Sequence, residues 1–269
     1  MLLRPSNLAR LGVPAGFSTR QGGVSAPPFD TLNFGNPGEL PPGVSRDPAA
    51  NIAENFRRVA HQLGCPGRAI IQVHQVHGSA VHVHEPAASD GTSTATAWER
   101  TITGADPKAD AIVTRDAGTL IAIRVADCTP ILLASADGTI VAAVHAGWRG
   151  VIAGVVVEAA RTMRAHGATQ IHAAIGPCIG PDQFEVGPEV VAEFRRVFGA
   201  AAPVRERPEG KGDVDLQVAL ALQLHAEGID DVETLRHCTA SDATRFFSHR
   251  RDRGITGRMI GIIGPRAAH

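Results

Sequence analysis

Residues 130–145 read PILLASADGTIVAAVH, two apolar runs separated by Asp137-Gly138. This stretch constrains the fold more than any other. Asp-Gly is a favoured two-residue turn between antiparallel strands, and strand register then decides which side chains share a face. With a type I′ turn at Asp137-Gly138, Ala136 faces Thr139, and counting outward sets Pro130 opposite His145. Cys128 has the parity of Pro130 and so points to the same sheet face as His145. Diagonal neighbours of this kind lie roughly 7–8 Å apart at Cα. Zinc reaches about 2.3 Å to sulfur and about 2.0–2.1 Å to imidazole nitrogen, so one ion can bridge the pair. Taken alone, the two residues also fit a small buried hydrophobe beside a structural histidine. The residues that follow favour a site. In HAGWRG (145–150), Gly147 permits a tight turn and Arg149 falls in the first turn of a helix expected from about 148 to 166. A cation at a helix N-terminus opposes the macrodipole, and a bound phosphate or carboxylate explains that placement.

The rest of the chain predicts a mixed α/β protein. Residues 48–63 carry Ile52, Phe56, Val59 and Leu63 on one helical stripe. AIIQVHQVHGSAVHVH (69–84) alternates apolar and polar residues as a strand does, with a turn or bulge at Gly78-Ser79. Strands are expected near 110–114, 119–125, 130–144, 170–175, 232–237 and 256–263, and helices near 188–198 and 215–227. Residues 85–108 shift to Ala, Ser, Thr, Pro and Asp, which predicts a long loop insertion. Strand character resumes at once after it, and no internal repeat is present, so residues 1–269 are expected to form a single domain.

With 43% hydrophobic and 20% charged residues and a formal net charge of −1, the chain is not built to bind nucleic acid or an anionic membrane. No apolar run approaches the ~20 residues of a membrane span, and the start, MLLRPSNLARLGVPAG, has no signal-peptide core, so a cytoplasmic location is expected. The four cysteines (Cys65, Cys128, Cys178 and Cys238) are too scattered for a disulfide framework. GxGxxG, Walker, HExxH, GxSxG and zinc-deaminase signatures are all missing.

Several stretches together resemble the YfiH-type family, also called laccase-domain or peptidoglycan-editing-factor proteins. They are FSTRQGGVS (17–25), LNFG (32–35), QVHG (75–78), ADAIVT (109–114), ADCTPIL (126–132), HAGWRG (145–150), IGPCIG (175–180), FFSHRR (246–251) and TGRMIGII (256–263). The resemblance implies a layered α/β/β/α sandwich and a metal site of His77, Cys128 and His145. QVH occurs twice, and it is the family position, with Gly78 following, that selects His77 over His74. Three protein ligands leave a fourth position open, as in catalytic zinc sites, where a bound water becomes a nucleophile near neutral pH. The family is associated with phosphorolysis of adenosine, inosine, guanosine and methylthioadenosine, and with deamination of adenosine. Purine nucleosides and phosphate are therefore the implied partners, Zn²⁺ the implied cofactor with Cu²⁺ as the other possibility, and a monomer or homodimer the implied state. Arg149 is the nearest candidate for the phosphate, Arg20 and Arg250 add charge, and Asn33 is a candidate for the nucleoside. Cys178 is expected to be structural. His249 stands where the family commonly has Tyr, which bears on substrate preference.

Two other chemistries fit the same residues. His₂Cys is the donor set of blue-copper sites, which normally add an axial Met, but Met1, Met163 and Met259 lie beside none of the ligand motifs. Polyphenol oxidation is therefore expected to be weak or nil. Alternatively Cys128, activated by His145, is the nucleophile of a hydrolase acting in peptidoglycan precursor editing.

Overall fold

The computed structural model of the protein describes residues 2–85 and 107–267; the insertion expected at 85–108 therefore lies, apart from its ends, outside the described residues. Chain order begins with β1 (Leu2–Leu3), α1 (Ser6–Arg10), β2 (Ala15–Ser18) and α2 (Ala49–Gln62). It continues through β3 (Ala69–Ile71), β4 (Val81–His84), β5 (Ala111–Thr114), β6 (Thr119–Val125), β7 (Thr129–Ser135) and β8 (Val141–Ala146). Two helices follow, α3 (Trp148–Ile152) and α4 (Val155–Ala165), then β9 (Ile171–Ile175), β10 (Glu185–Val186) and α5 (Pro188–Phe198). The last elements are β11 (Val204–Glu206), β12 (Gly212–Val214), α6 (Leu216–Ala226), β13 (Val232–Thr234) and β14 (Met259–Ile263).

These strands form two large mixed sheets, β1-β2-β14-β6-β3 and β13-β9-β7-β8-β5-β4, and a small one, β10-β12-β11. Side-chain parity explains how they stack. On β7 and β8, Leu132, Ala134, Val141 and Ala143 meet Phe17, Ile121, Ile123 and Ile263 of the other large sheet. The alternate residues Ile131, Leu133, Ala142 and Val144 pack outward on Val155, Val156, Ala159 and Met163 of α4 and on Leu220 of α6. Beyond the five-stranded sheet, Leu120, Ala122, Ile260 and Ile262 are covered by Ile52, Phe56 and Val59 of α2. Both faces of each large sheet are thus apolar, which is why β6, β7 and β8 read as continuous hydrophobic runs. The order helix, sheet, sheet, helix is the α/β/β/α sandwich that the resemblance implies, and it matches the expected α/β class.

The hairpin register agrees with the sequence expectation, and the turn does not. Thr129 pairs with Ala146 and Pro130 with His145. The connection, however, runs over four residues closed by Ser135 N–H donating to Ile140 O at 2.8 Å, and only Gly138 has positive φ (+72°). A type I′ turn needs positive φ at both central residues. Asp137 avoids it by a side-chain turn, accepting from Ser135 Oγ at 2.5 Å and Thr139 N at 3.1 Å. Both loops contain an even number of residues about the same centre, so the register is the same.

Other expectations need correction. The 69–84 segment is not one strand: β3 joins one large sheet and β4 the other. The helix expected at 148–166 is two, broken where Gly154 takes φ +73°. The small sheet and α1 leave no periodicity to read, because their strands and helix are only two to five residues long.

The close contact between the large sheets depends in part on Gly176, at the end of β9. A Cβ there meets the Phe17 ring at 2.4–2.8 Å, and Phe17 is 1% exposed within the inter-sheet core. Gly176→Ala is expected to destabilise the fold by about 1–3 kcal/mol through overpacking, measured as a lowered urea midpoint with unchanged m-value.

Candidate metal centre and cavity

His77, Cys128 and His145 converge, their ligand atoms all within 4.8 Å of one another. The strands dictate this. β5 pairs with β8 so that Ala111 opposes Val144, and extending the register by one sets Asp110 opposite His145, whose N–H donates to Asp110 O at 2.7 Å. Asp110, His145 and Cys128 then share the parity of the residues facing the five-stranded sheet. Asp110 is fully buried. Its Oδ1 lies 2.8 Å from His145 Nδ1 and accepts His77 N–H at 2.9 Å; Oδ2 accepts Gly78 N–H at 2.6 Å and Val76 N–H at 3.2 Å. An ionised carboxylate can only accept, so Nδ1 of His145 carries the proton and Nε2 is left for the cavity. The same carboxylate holds His77 at φ +61°, a conformation that a non-glycine residue adopts at a cost.

Cys128 follows Asp127, another non-glycine residue at positive φ (+80°). The Asp127 carboxylate accepts from Thr239 Oγ1 at 2.6 Å, Ser248 Oγ at 3.0 Å and Arg250 N at 2.7 Å, tying the ADC segment to FSHRR. Gly147 is required for space, since its φ is an ordinary −75°. A Cβ at that position falls 2.9 Å from Cys128 Sγ and 3.1 Å from His77 Cδ2. The sequence expectation of a tight turn is thus replaced by a close backbone approach.

Burial alone raises the Cys128 thiol and lowers the His145 imidazole. The charge of each on the other outweighs that, with His77 beside the thiol and Asp110 behind the imidazole. Cys128 is brought down to about 6 and His145 up to about 9. Burial also pushes at Asp110, but the bonds from His145, Gly78 and His77 hold it below the usual carboxylate range. One thiolate and two imidazoles fit a zinc-class ion with an open position, and the Asp110–His145 bond is the orienting contact that metal-ligating histidines usually have.

The trio borders a cavity of about 720 Å³, a size suited to a small-molecule ligand. Of the other residues singled out in the sequence, Arg250, His249 and His74, the rival of His77, line it. Arg149 does not: it is exposed, its guanidinium 4.3 Å from the Trp148 ring centre. The helix it belongs to, α3, is five residues long. Asn33 is fully buried and holds structure, donating to Asp47 Oδ2 at 2.8 Å and accepting from the N–H groups of Gly35 and Arg258. Arg20 binds Asp30 and lies 4.5 Å from the Phe247 ring centre. Cys178 is buried and pushed up to about 12 by burial, an inert thiol. Residues that sequence reasoning missed are Asp110, Gln75, Arg124, Phe184 and Arg258. Asp110 sits inside the quoted ADAIVT motif and shares the parity of Ile112, a signal readable only once β5 is known to pair with β8.

Comparison with known proteins agrees with this picture. The family described as "Multi-copper polyphenol oxidoreductase laccase" matches residues 14–266. The chain belongs to that family. Among similar members, a protein of Deinococcus radiodurans named purine nucleoside phosphorylase is 39% identical over 98% of this chain and 93% of its own. Purine nucleoside phosphorylase YfiH of Escherichia coli is 36% identical over 94% of this chain and 93% of its own. The crystal structure of YlmD from Geobacillus stearothermophilus superposes with a TM-score of 0.83 at 34% identity, covering 99% of this chain and 96% of that one.

Asp110→Asn turns an amide N–H₂ toward backbone donors, and is expected to weaken metal affinity about 10- to 100-fold, measured by competition with a chromophoric chelator. In metal-free protein, alkylation of Cys128 by iodoacetamide is expected to reach half its plateau rate near pH 6, because the thiolate forms as pH rises through that value. Mass spectrometry of the labelled peptide checks this; a midpoint near the ordinary thiol value of 9.0 contradicts it.

Proposed function

We propose that the chain is a zinc-dependent purine nucleoside phosphorylase that also deaminates adenosine. One observation carries the reading: a thiolate and two imidazoles converge at the edge of a cavity bordered by guanidinium groups. Relatives named purine nucleoside phosphorylase support the phosphorolysis part of it. In phosphorolysis a phosphate oxygen bonds to C1′ of the ribose as the C1′–N9 bond breaks, and the electron pair and a proton end on the purine. The chain's part is to hold both reactants, neutralise phosphate charge and keep His145 in one tautomer through Asp110. When bound, zinc supplies Lewis-acid polarisation and the acidified water that deamination requires. His77, Cys128 and His145 are the residues that hold it.

A second reading has its own support. Cys128, His145 and Asp110 stand as nucleophile, base and orienting acid do in cysteine hydrolases. Chelation separates the two, since a zinc enzyme loses turnover and a cysteine nucleophile keeps it. The oxidase description is less well matched. Among the described residues there is one His-Cys-His group and not several, and Met163 and Met259 are buried in the two cores and do not line the cavity.

Incubating the metal-analysed protein with adenosine, with and without phosphate, tests the proposal by chromatography. Adenine plus ribose 1-phosphate is expected with phosphate, and inosine without it. Cys128→Ala and His145→Ala are each expected to cost more than about 100-fold in rate, beyond the range of outer-shell changes. Full rates in both variants overturn the proposal.

A further inference from the structure

Four arginines border the cavity: Arg46, Arg124, Arg250 and Arg258. Arg46 gives a bond to Gly38 O and Arg250 gives bonds to Gln183 O and Glu185 O, all at the exposed rim. Arg124 and Arg258 are placed differently. The β6–β14 register pairs Arg124 with Ile260 and Val125 with Met259. Arg258 is therefore diagonal to Arg124 and on the same face, a spacing at which long side chains interact. Their stems run together over Gly35, where an added Cβ falls 3.2 Å from Arg124 Cδ and 3.7 Å from Arg258 Cγ.

Both are held from the backbone. Gln75 donates to Arg124 O at 2.8 Å and accepts from Arg124 N at 2.9 Å, two residues before the metal-site residue His77. Arg258 N donates to the buried Asn33 Oδ1 at 2.8 Å. The Arg258 guanidinium donates to the carbonyls of Thr256 at 2.9 Å and Gly257 at 3.1 Å, and no carboxylate makes an ion pair with it among the described residues. Burial and the charge of Arg124 both pull it below the usual guanidinium range, while Cys128 and Asp127 act on it in the opposite sense. Asp127 is the one carboxylate among the described lining residues, and its oxygens already accept from Thr239, Ser248 and the Arg250 N–H. Two like charges are thus fixed side by side on a cavity wall, and among the described residues no carboxylate is in ion-pair contact with Arg258. Paired forks of N–H donors are the arrangement that binds a tetrahedral oxyanion.

We propose that Arg124 and Arg258 form the subsite for inorganic phosphate as co-substrate, on the cavity that Cys128 also lines. The assignment rests on the phosphorylase reading and goes beyond it by placing the anion on the five-stranded sheet and not at Arg149. The test is calorimetric titration of the full chain with inorganic phosphate, together with the phosphate and adenosine KM values. Wild type, Arg258→Gln, Arg258→Lys and Arg149→Gln are compared, each checked for an unchanged unfolding transition. Arg258→Gln is expected to raise the phosphate Kd and KM by about tenfold or more, the usual cost of a lost charged hydrogen-bond pair. The adenosine KM should move less than twofold, Arg258→Lys should fall between, and Arg149→Gln should match wild type. Phosphate binding lost in Arg258→Gln supports the subsite even if no nucleoside is cleaved, in which case the phosphorylase reading alone fails. Phosphorolysis with an unaltered phosphate KM in Arg258→Gln, or a wild type that binds no phosphate, overturns the subsite.

Discussion

The buried carboxylate of Asp110 is the contact on which the site depends. An ion removed from water is tolerated only when its lone pairs are satisfied, and this one accepts three successive backbone N–H groups as well as the His145 ring. Those bonds do several jobs at once. They pin the loop carrying His77 to the start of β5, hold that residue in a left-handed conformation, and choose the tautomer of a histidine on a third segment. A side chain set back from the cavity therefore decides where two of the three candidate metal donors stand. Asp127 plays the parallel part for the third donor, joining the Cys128 turn to Thr239 and to residues 248–250.

The sequence was most informative where regular pairing carries information. Parity along the 130–145 hairpin brought Cys128 and His145 to one face, and the error over turn type did no harm because register depends on the centre of the loop, not on its dihedral angles. His77 was beyond such counting. Its segment alternates like a strand, yet its N–H groups go to a carboxylate more than thirty residues away and not to a ladder, so only resemblance to a family selected it. The same break explains why 69–84 divides between two sheets. Asp110 was hidden for a different reason, since an acid at the mouth of an apolar run is unremarkable until the run's partner strand is known.

Arg149 stands outside the cavity for a physical reason. A cation at a helix start is unfavourable only if the helix is long enough to have an appreciable dipole, and α3 ends after five residues, with the guanidinium laid on its neighbour's indole ring. Cation–π contact with Trp148 accounts for the pairing of Trp and Arg in HAGWRG without any anion. Helix 148–166 read as one element because its apolar stripe continues through the break, and Gly154 was the one residue able to signal it.

What remains is a division of labour between the sheets. The soft donors come from the six-stranded sheet and the loop hung on it, at the C-terminal end of β8 and the N-terminal end of β7. Two of the cavity's arginines, Arg124 and Arg258, come from the five-stranded sheet, at the C-terminal end of β6 and just before β14. The cavity is lined from both groups of strand ends and from residues 36–38 and 46, while the packing of the sheets on each other is set well inside the core, where Phe17 lies against the backbone of Gly176. A cavity bordered by four arginines and by the one candidate group of metal donors among the described residues suits an anionic reactant meeting a polarised one. It is poorly suited to successive one-electron oxidations of a phenol, which need several metal centres to store electrons, not fixed positive charge to hold an oxyanion.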